Sequence, residues 1–394
     1  MTATGKLTSF RDATFAVQLA GISISERQVT RLAHQVGQEL IEQRDRKVVE
    51  HRRRQLPARC LKTPQAVVVE VDGGRIRTRA AEQKAGVHDA QHKEDKVACL
   101  ATLTRQSFTE DPQPEPPASF QNPRRVQRLV QQMKGQAGEA ETTEKPEPNA
   151  DSGRPIAKIG VNERWSPKRL LGTCVASMAV SASFGPMMAA EAQERHFYEA
   201  KQRAFVADGL GYNWAIHRGY FSTFVPIVDF LHVLCYLYAA ARAVRAEESS
   251  GWSQYLLWLR ACWQGRVSEV LTELEAWQAR LGLPPPGEAT TVEERRDPRR
   301  VVAEARCYLT NNRERMDYPR YRREGLPLTS SLVESLVGEV NARVKSKQKY
   351  WLRPKGSEAI LQLRAAVLSQ DERLTRFFAN RPGNPTRKKR KAAS

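Results

Sequence analysis

Cysteine is sparse in this chain and shows no pairing pattern. Six of them (Cys60, Cys99, Cys174, Cys235, Cys262, Cys307) are scattered over 394 residues with no CxxC or other close ligand spacing. That argues against a zinc module and a disulfide framework, and for reduced thiols. A long hydrophobic run is also missing. The most apolar stretch, Val225 to Ala241, contains Asp229 and His232 and is too short to span a bilayer. The opening Met1-Thr2-Ala3-Thr4-Gly5-Lys6 has no apolar signal core. These absences predict a soluble, cytoplasmic protein with no membrane partner. Acidic residues are outnumbered, 44 Asp+Glu against 63 Lys+Arg, leaving a net charge of +19. Such a surplus favours phosphate backbone, although a ribosomal or membrane-surface protein would share it. With 40% hydrophobic residues the chain can build a sizeable core, and its length suggests two or three domains.

Against that basic background, three acids stand where a strand or helix presents them. Asp72 follows the apolar run Val67-Val68-Val69-Glu70-Val71, and Asp208 follows Ala204-Phe205-Val206-Ala207. Glu334 lies in the first turn of the helix opened by Ser330-Ser331-Leu332-Val333. Each has an ordinary explanation: a hairpin turn at Val71-Asp72-Gly73-Gly74, a turn at Ala207-Asp208-Gly209, and a capping box in which Glu334 bonds back to the backbone of Ser331. Together they suit a pair of Mg²⁺ ions, which are hard and prefer oxygen ligands. Two ions about 4 Å apart can activate an attacking hydroxyl and stabilise the leaving oxygen at phosphorus. An acidic cage in a basic protein therefore suggests an enzyme that cuts or joins nucleic acid.

Hydrophobic periodicity places these acids in a mixed α/β chain. Residues 1–60 read as a helical segment: a helix from Ser9, a break at Ala20-Gly21-Ile22, and a second helix capped by Ser25 with Gln28 three residues on. Arg27, Gln28, Thr30 and Arg31 near its start give it the look of a DNA-binding helix-turn-helix. Strands are predicted at Ala66–Thr78, Lys96–Thr104 and Arg169–Met178, then a helix from Gly185-Pro186 to about Arg203. A strand at Ala204–Ala207, a helix at Asn213–Tyr220, a strand at Thr223–Phe230 and a helix to about Val244 follow. Three strands followed by helix, strand, helix, strand, helix is the order of ribonuclease-H-like folds, with helices on the faces of a mixed sheet. Residues 61–245 form the first part of this core. It is interrupted at about 106–165 by a mobile insertion rich in Pro, Glu, Gln and Ser, with a short helix around Arg124 to Met133. Residues 246–325 show no strand and read as an all-α insertion domain, its tryptophans core rather than stacking platforms. Residues 326–380 return to the core with the Glu334 helix, and 381–394, with Arg387-Lys388-Lys389-Arg390-Lys391, form a disordered basic tail.

On the Glu334 helix, Leu332, Leu336, Val340 and Val344 recur every four residues. Glu334 lies about 200° around from Leu332, on a side shared with Asn341 and Lys345. Arg343, Lys345, Lys347 and Lys349 extend the cationic character, and Tyr350-Trp351-Leu352-Arg353-Pro354-Lys355 interleaves aromatics with charge, a pattern suited to a frayed DNA end.

In these motifs the chain resembles the DDE insertion-sequence transposases of the Kra group. The resemblance rests on Val71-Asp72-Gly73-Gly74-Arg75, His92-Lys93-Glu94-Asp95-Lys96-Val97, Phe205-Val206-Ala207-Asp208-Gly209 with Asn213-Trp214, and Asp229-Phe230-Leu231-His232. It continues through Tyr308-Leu309-Thr310-Asn311-Asn312, Arg315-Met316-Asp317-Tyr318-Pro319 and Thr329-Ser330-Ser331-Leu332-Val333-Glu334-Ser335, and spans about Phe10 to Ser369. It implies that Asp72, Asp208 and Glu334 are catalytic metal ligands for two Mg²⁺ ions, with Mn²⁺ able to substitute. His232 closes a C/D-x-x-H motif, which implies a place near the active site, contacting DNA or orienting the scissile phosphate. Arg27, Gln28, Arg31, Trp214, Arg343, Lys345, Lys347, Lys349, Trp351, Arg353 and Lys355 become the expected DNA contacts. The implied partners are terminal inverted repeats and target DNA, bound by a homodimer or larger assembly at a bacterial nucleoid. The alternatives are a nuclease or resolvase of the same fold without strand transfer, and a catalytically inactive DNA-binding derivative.

Overall fold

The computed structural model describes residues 2–78, 91–136, 165–245, 247–344, 351 and 354–382. Five strands form one mixed sheet: β1 (Ala66–Thr78), β2 (Gln91–Leu103), β3 (Arg169–Ser177), β4 (Gln202–Ala207) and β5 (Val225–Val228). The helices before α6 are α1 (Thr2–Lys6), α2 (Phe10–Leu19), α3 (Glu26–Arg52), α4 (Pro123–Gln136) and α5 (Ser181–Glu194). Then come α6 (Gly211–Tyr220), α7 (Phe230–Val244), α8 (Glu248–Trp263), α9 (Val267–Leu281) and α10 (Val292–Arg295). The last are α11 (Pro298–Asn312), α12 (Tyr318–Arg323), α13 (Ser331–Val344), α14 (Pro354–Leu368) and α15 (Arg373–Asn380). Among the described residues no helix is long and apolar enough to cross a membrane.

The strand order is β3-β2-β1-β4-β5. Strand β2 is antiparallel to both its neighbours, β3 and β1, and β4 and β5 run parallel to β1. Central position explains the sequence of β1. Val67, Val68 and Val69 are all buried, as a strand covered on both faces requires, so the run is apolar without alternation. One face carries Glu70, Cys99 and Cys174 in a row, and α13 packs on β1 and β2 there, with Glu70 beneath its start. The opposite face carries Thr173, whose hydroxyl accepts from Arg195, the residue after α5. The outer edge of β3 is bonded to side chains. Gln370 Oε1 accepts from Gly172 N–H, Ser369 Oγ accepts from Cys174 N–H, and Gln362 Nε2 donates to the Ala176 carbonyl.

Some element ends differ from the periodicity reading. β2 begins at Gln91 rather than Lys96, because β1 runs on to Thr78 and the two pair along their whole length. Val71-Asp72-Gly73-Gly74 is therefore ladder, not hairpin turn. Helix α5 starts at Ser181, holds Pro186 inside it, and ends at Glu194. His196, at φ 55°, turns the chain into a short 3₁₀ segment before β4. β5 stops at Val228 because Asp229 caps α7.

The amino-terminal helices are as read up to their packing. Ser25 and Gln28 make the capping box, and Gly21 turns at φ 80° between α2 and α3. Helix α3 then runs 27 residues and braces α14 and α5. Gly37 sits so close to α14 that a Cβ there would lie 2.2 Å from the Ala359 carbonyl oxygen, so only glycine fits.

Helices α8 to α12 lie between β5–α7 and α13 in the chain, and α8 and α11 pack on α7. Trp258 and Trp263 are buried there, as core residues. The first half of the proline-rich stretch is packed too, which corrects the expectation of mobility for residues 106–136. Asp111 accepts from the guanidinium of the wholly buried Arg322 (Nε to Oδ1, 2.7 Å), and that guanidinium lies 4.3 Å from the Trp263 ring centre. Phe120 stacks on Phe230 and its carbonyl accepts from Tyr255. Val126, Leu129 and Val130 of α4 are buried as well, and the Trp263 indole N–H donates to the Gln113 carbonyl, so the segment has apolar anchors that its overall composition hides. Residues 137–164 of the expected insertion lie outside the described residues.

Candidate metal centre

The sheet register lines up three aspartates. Val71 pairs with Ala207, and Ala207 with Val228, at the carboxyl ends of β4 and β5 and at the point in β1 where its parallel pairing stops. Asp72, Asp208 and Asp229 are the next residue in each chain segment. They follow one another across the sheet where the parallel pairing of β1, β4 and β5 ends, while β1 runs on past Asp72 beside β2; this is the side on which open α/β sheets bind ligands.

Each is held differently. Asp72 is half-buried, and its Oδ1 accepts from Gly73 N–H at 2.7 Å. Asp208 Oδ1 accepts from Leu210 N–H (3.0 Å) and from Asn213 Nδ2 (2.8 Å) at the start of α6. Its carbonyl accepts from the Tyr308 hydroxyl of α11 at 2.9 Å, which ties the helical insertion to the site. Gly209 follows at φ 96°, and a Cβ there would meet the Tyr308 ring at 2.7 Å. Asp229 is 0% exposed. Its Oδ1 caps α7 through Leu231 N–H (2.9 Å), and its Oδ2 accepts from the Ser330 hydroxyl.

Helix α13 brings the fourth acid. Its amino terminus is capped across the fold by Glu70, whose Oε2 accepts from Val333 N–H at 2.8 Å. A carboxylate against a helix start is favourable, since the first N–H groups have no partner within the helix. Glu334, 5% exposed, places Oε1 3.2 Å from the Ser330 hydroxyl, while Oε2 has no hydrogen-bond partner. The capping-box explanation is thus replaced: Glu334 turns to Ser330 and the acids, not to the Ser331 backbone. Asp229, His232 and Glu334 each offer a ligand atom within 4.8 Å of the others, with His232 Nε2 3.9 Å from Asp229 Oδ2.

Burial and crowding of like charge shift these groups together. Burial above all, then the charge of Asp208, pushes Asp72 up to about 7, with His232 pulling the other way. Burial pushes Glu70 up to about 8 against the Val333 N–H bond. Glu334 rises well above the ordinary carboxylate range through burial and the charges of Asp229 and Asp72. Asp229 rises through burial, opposed by His232 and Ser330. Acids massed in this way repel one another unless protons or cations neutralise them. Buried oxygens without donors (Glu334 Oε2, Glu70 Oε1) and a donor set of carboxylates with one imidazole fit a divalent cation.

Of the expected residues, His232 and Glu334 fall in the group whose ligand atoms lie within 4.8 Å of one another, with Asp229 as the third member, and Asp72 and Asp208 are not in that group; the charges of Asp208 and His232 still bear on Asp72. Asp229 was expected only as the acid of the C/D-x-x-H motif and not as a ligand, and Glu70 and Ser330 were absent from the expected site. Asp229 had a legible signal, an acid directly after an apolar run, as at Asp208.

The expected DNA contacts divide. Arg27 and Arg31 are exposed near the start of α3, whereas the Gln28 side chain is engaged in the capping box. Trp214 and Arg343 are corrected. Trp214 is 5% exposed, its indole N–H donates to Asn312 Oδ1 (3.1 Å), and Arg315 covers its ring at 4.4 Å. Arg343 is 2% exposed, its Nε donates to the Thr4 carbonyl (3.1 Å), and its guanidinium lies 4.4 Å from the Phe10 ring centre. Neither offers an open surface to DNA. Trp351 is half-buried and donates its indole N–H to the Val344 carbonyl at 2.8 Å. Lys345, Lys347, Lys349, Arg353 and the side chain of Lys355 lie outside the described residues. No protein-family model and no curated protein matches this sequence.

Proposed function

We propose that this protein is a DNA transposase that cleaves phosphodiesters at the ends of a mobile element and joins the freed 3′ ends to target DNA. The observation that carries the reading is the alignment of Asp72, Asp208 and Asp229 where the parallel pairing of three strands ends, with α13 bringing Glu334 close enough to feel the charges of Asp229 and Asp72. Strand order β3-β2-β1-β4-β5, with a helical insertion between Asp208 and Glu334, supports the ribonuclease-H-like core that the motif resemblance implies. The net charge of +19 supports a nucleic-acid substrate.

In this reading Asp72, Asp208 and Glu334 would hold the metal. When bound, Mg²⁺ or Mn²⁺ would supply Lewis-acid polarisation of the phosphoryl oxygens and a lowered pKa for bound water. The protein's own groups set the geometry. Asn213 and Leu210 N–H fix one oxygen of Asp208, Ser330 bridges Asp229 and Glu334, and Glu70 pins the first turn of α13. Water would add to the phosphorus at the element end and break the P–O3′ bond. The 3′-hydroxyl would then add to a target phosphorus and displace the target's own 3′ oxygen. One bond forms as one breaks, so no ATP is needed. Arg27, Arg31 and the cations following α13 in sequence would contact phosphates.

The test is to incubate the protein with Mg²⁺ or Mn²⁺, linear DNA carrying the element's ends and a target plasmid, beside Asp208→Asn. Nicks at the ends with joining to target in the wild type, and binding alone in the variant, would support the proposal. Cleavage without joining would make it a nuclease or resolvase. Binding without cleavage by either protein would reduce it to a DNA-binding derivative.

A further inference from the structure

The centre is not uniform in its donors. Asp72 and Asp208 offer only oxygen, whereas the set within 4.8 Å contains an imidazole beside two carboxylates. We propose that Asp229, His232 and Glu334 form a mixed nitrogen–oxygen cation site that selects transition ions such as Mn²⁺ and Co²⁺ over Mg²⁺, leaving the Asp72–Asp208 side of the centre to Mg²⁺. This rests on the reading of the centre as a metal centre and adds which ion each side takes.

Three observations carry it. First, Glu334, a member of the group, is 5% exposed, and its Oε2 is buried without a hydrogen-bond partner. A buried carboxylate oxygen lacking any donor needs a cation or a proton. Second, the neighbours are fixed by other bonds. Asp229 is anchored by Leu231 N–H and by Ser330, and the same Ser330 hydroxyl sits 3.2 Å from Glu334 Oε1. Partners of this kind orient ligands around a metal. Third, His232 is 28% exposed on its side chain, so the site opens to solvent on the imidazole side. Neighbouring ligands bound at about 2.1 Å lie about 3 Å apart. The 3.9 Å from His232 Nε2 to Asp229 Oδ2 therefore closes with a shift of about 1 Å. Selectivity follows from donor type: Mg²⁺ is hard and loses affinity when imidazole replaces oxygen, while affinity for nitrogen rises from Mn²⁺ to Co²⁺.

The experiment uses the full chain stripped of metal by a chelator. Co²⁺ is titrated by its visible absorption, which reports nitrogen ligation, and Mn²⁺ by the spin resonance of the free ion, each in competition with Mg²⁺. Wild type is compared with His232→Ala and Asp208→Asn, with circular dichroism to confirm folding. His232→Ala should weaken Co²⁺ binding about tenfold or more and abolish the nitrogen signature, with Mg²⁺ affinity changed less than about twofold. Asp208→Asn should weaken Mg²⁺ and keep the Co²⁺ signature. An unchanged Co²⁺ isotherm and spectrum in folded His232→Ala would overturn the inference and leave His232 as the counter-ion of Asp229. If that happens while the wild type cleaves and joins DNA, the proposed function stands without it. If the Co²⁺ results hold and no ion supports cleavage, the site stands and the proposed function falls.

Discussion

Ser330→Ala isolates the hydroxyl that joins two acids of the centre. Ser330 is buried, and its single proton serves either Asp229 Oδ2 or Glu334 Oε1 at one time. Its loss removes one hydrogen bond to a charged group and leaves a fully buried carboxylate oxygen without its donor, a cost of about 1.5–3 kcal/mol. Unfolding entropy of about 2.1 cal/mol/K per residue over the 394 residues gives about 0.8 kcal/mol/K, so the metal-free Tm should fall by about 2–4 °C. The second effect is on metal affinity. The Ser330 bond lowers the pKa of both Asp229 and Glu334, so without it both hold protons more tightly, and a cation must displace them. The Mn²⁺ affinity of Ser330→Ala should fall about 10- to 100-fold. The deficit should be larger at pH 6.5 than at pH 8.5, because protons compete less at the higher pH. Ser330→Thr keeps the hydroxyl and should recover most of both losses. Calorimetric melting and Mn²⁺ titration at the two pH values make the measurement. A Ser330→Ala protein with unchanged Tm and the same Mn²⁺ isotherm at both pH values would refute the reasoning.

Two further outcomes follow from features around the sheet. Glu191 is buried between Arg59 (2.9 Å) and Arg373 (2.8 Å), and those cations hold its pKa down from 4.5 to about 2 against the cost of burial. The stability it contributes is complete above pH 4.5 and lost as pH falls to about 2. Its size is about 3 kcal/mol. Glu191→Gln should be less stable than wild type by about that amount at pH 7, with the gap closing by pH 2 in urea unfolding curves. Gly209→Ala places a methyl against the Tyr308 ring at a φ of 96°. The backbone conformation costs about 1 kcal/mol and the overpacking about 1–3 kcal/mol. Urea unfolding should show that loss, and because Tyr308 holds the Asp208 carbonyl, Mg²⁺ affinity should drop with it.

What the sequence made legible was whatever local chemistry decides. The Val67–Val71 run placed β1 to both its ends, Ser25 and Gln28 announced the start of α3, and the end of α7 at Val244 followed from periodicity. What stayed hidden depends on partners far along the chain. Glu70 is 263 residues from the Val333 N–H that it caps. Arg343 reads as a solvent-facing helix residue until the Thr4 carbonyl, 339 residues away, arrives beside it. Trp214 was expected to contact DNA because nothing near it in sequence shows Asn312 and Arg315 closing over it. The same distance hid Asp229. Its place after an apolar run was visible, but its alignment with Asp72 and Asp208 exists only once β1, β4 and β5 are in register.

The side chains along β3 bear on how copies of the molecule can meet. An edge strand with free N–H and C=O groups invites another chain to add a strand to the sheet. Here Gln370, Ser369 and Gln362 already occupy the outward groups of Gly172, Cys174 and Ala176. A second copy cannot extend the sheet at these positions without first breaking those bonds. Sheet-to-sheet polymerisation is thereby discouraged on this side of the sheet.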